Sequence, residues 1–112
     1  MMINIQSPGI RTSKKLTKIL VSRFSHLERL SRGIMRCDLL LKKDPDPTAP
    51  FVVEARLAVP GNDLFSSQRG SSFEAASEKV CAALETQLQR LKSRYQRKTK
   101  GTGIDEFLGD DS

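Results

Sequence analysis

Tryptophan is absent from this chain, and tyrosine and histidine occur once each. Aromatics are too few to build a base-stacking sheet of the kind single-strand RNA modules use, and Phe51 and Phe73 both read as core. The lone histidine, His26, has no serine or cysteine that sequence can assign to it in a triad. No Gly-rich loop of P-loop or dinucleotide type is present. Glu28, Glu54, Glu74, Glu78 and Glu85 are scattered and read as solvated surface or helix caps. No catalytic residue is expected, and with it no enzyme, no cofactor and no small-molecule substrate. The only two cysteines, Cys37 and Cys81, lack ligand-like spacing and lie far from the histidine, which excludes a zinc site. They read as small core hydrophobes and not as a disulfide. Asp44 and Asp46, set among prolines, could hold a cation only weakly. No apolar run reaches membrane-spanning length, and the N-terminus lacks the basic-then-apolar order of a signal peptide. A cytoplasmic protein with no membrane partner is expected.

Basic side chains are what the chain has in excess. The formal charge of +6 conceals an asymmetry. All 19 Lys and Arg fall within residues 1–100, against nine acids, so that body carries +10. The segment GTGIDEFLGDDS adds four acids and no base. A body this basic attracts polyanions such as nucleic acid. The 112 residues suit one domain, here residues 1–98, followed by a flexible acidic tail over residues 99–112.

The stretch Ser71 to about Lys98 reads as one long helix. Phe73, Ala76, Val80, Leu84, Leu88, Leu91 and Tyr95 recur at steps of three or four. Ser71 and Glu74 have capping-box spacing. At 1.5 Å per residue the helix reaches roughly 40 Å, so its last third should overhang a core of this size. That third carries Arg90, Lys92, Arg94, Arg97, Lys98 and Lys100 and no acid.

Upstream, MINIQS alternates as a short strand and is broken by Pro8 and Gly9. Thr12 or Ser13 caps a helix running to about Ser31, with Leu16, Ile19, Leu20, Phe24, Leu27 and Leu30 as its inner stripe and Gly33 as its stop. Arg23 falls near the middle of that stripe, so its stem must follow the core edge and bring the guanidinium out. Ile34–Lys42 reads as the second strand. The three prolines of KKDPDPTAP make a hairpin loop. Phe51–Val59 alternates clearly as the third strand. Pro60–Gly61–Asn62–Asp63 turns, and Leu64 to about Arg69 is the fourth. The fold class is α+β: a β-α-β-β-β-α two-layer sandwich, with a four-stranded mixed sheet and both helices on one face.

On a helical wheel Lys79, Ala83, Thr86, Arg90, Arg94 and Arg97 share one flank of the long helix, beside its apolar stripe. That flank is expected to face the first helix, which offers Lys14, Lys18, Arg29 and, at its edge, Arg23 and His26. Together the two helices would form one basic surface that recognises the shape and phosphates of folded RNA, without a base code.

Several of these stretches resemble the ribosome hibernation-promoting factor family, which includes ribosome-associated translation inhibitor A and is also labelled sigma-54 modulation protein. The similar segments are MINIQSPGI, SRFSHLERL with RGIMRCDLLL, VVEARLAVPGNDLFSSQRGSSFEAA and LETQLQRLKSR, in order across residues 2–98. The resemblance is to the short form, without an added dimerisation domain. It implies a non-enzymatic factor that binds the small ribosomal subunit and its rRNA in the mRNA/tRNA channel, inhibits translation and promotes hibernation. By position it implies RNA contacts at Arg23, Arg29, Arg90, Lys92 and Arg94, to which the wheel adds His26, Lys79 and Arg97. His26 stands where the family usually has Lys. Ala83 and Thr86 replace a common Lys and Arg. The alternative is a modulator of a sigma factor or other regulatory protein, docking through the acidic-apolar Ile104–Leu108.

Overall fold

The computed structural model describes residues 1–31 and 33–99, with side chains described as far as Ser93. Its elements run β1 (Met2–Gln6), α1 (Lys14–Ser25), a 3-10 turn (His26–Arg29), β2 (Arg36–Lys43), β3 (Phe51–Val59), β4 (Asn62–Gly70) and α2 (Phe73–Thr99). The strands lie in the order β1-β2-β3-β4. β1 runs parallel to β2 through the α1 crossover, and β2, β3 and β4 are antiparallel in turn. This is the expected β-α-β-β-β-α sheet with its helix layer.

Alternation along the strands decides which face is covered. Cys37, Leu39 and Leu41 of β2, Val53, Ala55, Leu57 and Val59 of β3, and Leu64 of β4 point inward and are buried. Against them pack Leu20 and Phe24 of α1, Leu27, and the α2 row Phe73, Ala76, Val80, Leu84, Leu88 and Leu91. Phe51 and Phe73 meet edge to face at 4.9 Å between ring centres, both at the core as expected. The opposite sheet face carries Arg36, Asp38, Lys42, Glu54, Arg56 and Asp63 in ion pairs.

Several boundaries differ from the sequence reading, each for a local reason. The first helix stops at Ser25 and tightens into the 3-10 turn, so it is shorter than the stretch to Ser31. Ser13 is its cap, its hydroxyl accepting from the Leu16 N–H at 3.0 Å. Gly33 is no left-handed helix stop, since only Gly9 and Gly61 have positive φ among the described residues. It is instead a close-approach point, where a Cβ would come within 3.1 Å of the Pro60 ring. The hairpin turn is only Pro60–Gly61, with Gly61 at φ +75, and β4 therefore begins at Asn62. The cap of α2 is Ser72 and not Ser71: its hydroxyl accepts from the Ala75 N–H at 3.0 Å.

A candidate nucleic-acid interface

α2 lies over the β3–β4 half of the sheet, and its two flanks meet different neighbours. One flank faces α1. There the Arg23 guanidinium donates to the Ser77 hydroxyl at 2.7 Å and to the Glu74 carbonyl at 3.3 Å, and reaches the Glu78 carboxylate at 3.5 Å. The Cys81 thiol sits 3.8 Å from the Arg23 carbonyl on the same side. The other flank overhangs the free edge of β4. There the Lys79 ammonium donates to the Arg69 carbonyl at 2.9 Å, and the Gln87 amide to the Phe65 carbonyl at 2.9 Å.

This geometry corrects the expected merger of the two helices into one basic surface. The flank carrying Lys79, Thr86 and Arg90 faces away from α1, toward the β4 edge. The flank that does face α1 carries Glu74 and Glu78, so the seam between the helices is charge-compensated near Arg23. The arc on which Arg23 sits was read correctly, but its guanidinium does not simply emerge into solvent. It is spent tying α1 to α2, and it satisfies the fully buried Ser77 hydroxyl.

The other site residues fall into two groups. His26 is exposed and lines a shallow hollow of about 410 Å³ with Lys18, Ile19, Ser22 and Arg23 of α1. Arg29 is exposed at the end of the 3-10 turn. Arg90 is exposed and lines a groove of about 680 Å³ with Leu64, Thr86, Gln87, Gln89, Leu91 and Ser93. Lys92 is half-buried. The side chains of Arg94 and Arg97, and the tail with Ile104–Leu108, lie outside the described residues. The two basic groups therefore stand on separate flanks of the helix layer.

Sequence reasoning missed a third group. Lys42, Lys43 and Arg69 converge with Lys79 on a groove of about 670 Å³ where the ends of β2, β3 and β4 meet α2. The signal is the Lys42–Lys43 pair, which the sequence reading divides between the end of the second strand and the loop after it.

Burial pushes the Cys37 thiol up to about 12, with the Asp38 charge adding to the effect. It pushes Cys81 up to about 11, with Glu85 also raising it and Arg23 opposing. Both are free thiols held protonated in the core, as the sequence suggested. Among the described residues no cluster of three or more His, Cys, Asp or Glu is placed to hold a metal ion, and no helix is long and apolar enough to cross a membrane.

Comparison with known proteins agrees with this architecture. No curated protein matches the chain. A ribosomal subunit interface protein from Coxiella burnetii has a similar structure, at TM-score 0.71 and 18% identity over 83% of this chain and 99% of that one. The Protein Y N-terminal domain from Thermus thermophilus superposes at TM-score 0.71 with 17% identity, over 81% of this chain and 99% of that one. At such identities the two establish a shared fold. Residues 3–96 match the family described as sigma 54 modulation protein / S30EA ribosomal protein, and since that span is most of the chain, the protein belongs to this family.

Proposed function

We propose that this protein is a non-enzymatic ribosome-associated factor that binds the small subunit through its rRNA, in the channel used by mRNA and tRNA. Occupying that channel would inhibit translation and hold idle ribosomes in hibernation. The observation that carries the reading is family membership over residues 3–96, joined to helix flanks that carry exposed basic side chains such as His26, Arg29, Lys79 and Arg90. The solved relative described as a ribosomal subunit interface protein supports the same partner.

Recognition would be by phosphate and shape. Arg90, with Arg94 and Arg97 further along the helix, forms one contact, with Lys79 on the same flank at the helix start; His26 and Arg29, with Lys14 and Lys18, form another. Lys92 belongs to the same basic helix end. Because the two contacts face apart, they would touch different RNA segments, which suits a channel lined on more than one side. Arg23 contributes mainly by fixing the angle between the helices.

The test is sucrose-gradient fractionation at two salt concentrations. Wild type should travel with small-subunit fractions at low salt and leave them at high salt. With about six phosphates neutralised, the log–log salt slope should be near −5 by duplex counting. Arg90→Glu with Arg94→Glu should move the protein to the top of the gradient without changing its melting temperature. Unaltered cosedimentation of that variant would overturn the proposal. Retention on a protein partner after nuclease treatment would instead favour a modulator of a sigma factor or other regulatory protein.

A further inference from the structure

The groove at the ends of β2, β3 and β4 is built differently from the helix flanks. Register sets Lys42 beside Val52 and Val52 beside Arg69, all pointing to the sheet face away from the helices. At a strand spacing of about 4.8 Å, the two cations start roughly 10 Å apart across the valine. Val52 is only 7% exposed although it lies on that outer face, as expected if the Lys42 and Arg69 stems lie over it. Lys79 arrives from α2 around the sheet edge, anchored on the Arg69 carbonyl. Lys43 stands 5.3 Å from the centre of the Phe51 ring. Four cations are thus gathered from three elements, in a groove that Ser67, Gln68, Asp44 and Glu54 also line.

Carboxylates offset much of this charge: Glu54, Asp44 and Asp46 stand against the four cations, which leaves one positive charge in excess. Glu54 holds Lys42 at 2.8 Å, and Asp44 and Asp46 hold Arg69. The two Arg69 pairs are solvent-exposed and Glu54 is half-buried; exposed ion pairs hold weakly, so a phosphate can compete for these cations. Among the described residues neither Lys43 nor Lys79 is paired with a carboxylate.

We infer that this groove, lined by Lys42, Lys43, Ser67, Gln68, Arg69 and Lys79, is a phosphate-binding site for an RNA backbone, separate from the contacts on α1 and at Arg90. It rests on the reading of the protein as an RNA-binding factor and adds a contact on the sheet side. With it, the charge that Ala83 and Thr86 do not supply in mid-helix is provided at the helix start, from the strand ends. The Ser67 hydroxyl, which donates to Glu54 at 3.4 Å, would turn to a phosphate oxygen as that carboxylate gives way.

The test uses the full chain, labelled for amide NMR and titrated with a short RNA stem-loop, alongside Lys42→Gln/Lys43→Gln. Both lysines are exposed, and equal melting temperatures would show that the variant folds. In wild type the Ser67, Gln68, Arg69 and Lys79 amides should shift on titration. In the variant those shifts should vanish, and the log–log salt slope should become shallower by about 1.8, at 0.9 per lost phosphate contact. Unmoved β4 amides in wild type, or an unchanged slope in the variant, would overturn the site. A gradient run in parallel separates this from the broader reading: absence of wild type from ribosomal fractions sinks the ribosomal partner, while the stem-loop result still decides the groove.

Discussion

Arg23 shows what a single side chain decides in this molecule. It sits on a helix face that is otherwise apolar, and its guanidinium crosses to three groups on α2. Arg23→Met keeps the aliphatic stem and removes those hydrogen bonds, one of them to a fully buried hydroxyl. Equilibrium unfolding in urea should show a loss of about 1–2 kcal/mol. A residue that served RNA alone would leave the urea midpoint where it was. The arc position of Arg23 was legible in the sequence; its partners were not, because Ser77 and Glu78 lie more than fifty residues away and nothing local pairs them with it. The thiols make a second prediction at this scale. Above pH 9.0, the ordinary thiol value, the unfolded chain loses both protons, while the folded chain keeps them to about 11 at Cys81 and about 12 at Cys37. Their raised values therefore add stability below that pH and lose it as pH rises through the window. Unfolding midpoints should fall above pH 9, and a thiol reagent at pH 8 should react only as fast as the chain opens.

The helices show the limits of periodicity. Each apolar stripe could be read directly, since steps of three and four leave no other face to bury. Which flank of α2 meets α1 could not be read from a wheel, because a wheel has no left or right until the neighbour is placed. The β1-α1-β2 crossover, at the far end of the strand order β1-β2-β3-β4 from the β4 edge that α2 overhangs, sets α1 on one side of α2, and that side carries Glu78. The candidate site was accordingly legible residue by residue but not as a surface. α1 also opens against its own dipole. Its first turn has Lys14 and Lys15 and no acid. Lys14→Glu with Lys15→Glu should raise stability by about 0.3–1 kcal/mol per site, measured by thermal melting at low salt, and the gain should shrink as salt is added. At the entry to α2, Gly70 allows the helix to sit close: a Cβ there would lie 2.8 Å from the Ala76 nitrogen. Gly70→Ala should cost about 1–3 kcal/mol in urea unfolding, because backbone and not a side-chain tip is in the way.

Across the whole molecule, positive charge is distributed over three surfaces while the carboxylates sit mainly where they compensate it. The outer sheet face and the loop after β2 depend on such compensation: Arg36 with Asp38, Lys42 with Glu54, Arg56 with Asp63, and Arg69 with Asp44 and Asp46. Asp46 also accepts from the Thr48 and Ala49 N–H groups and from the Thr48 hydroxyl. Those Thr48 and Ala49 bonds, with Arg69 adding, hold its carboxyl below the usual 3.8. A depressed value contributes stability above the unfolded pKa and loses it as pH falls through the folded one. Asp46 should therefore make unfolding midpoints fall slightly as pH drops below 3.8. Added salt should restore part of the loss by screening the cations left facing one another.

Lys79 and Gln87 occupy two backbone acceptors along the outer border of β4. A lateral row of open acceptors invites other chains to add on and grow into fibres. Here the long helix reaches over and fills part of that row with its own side chains. Strand addition at this border would first have to displace those two side chains.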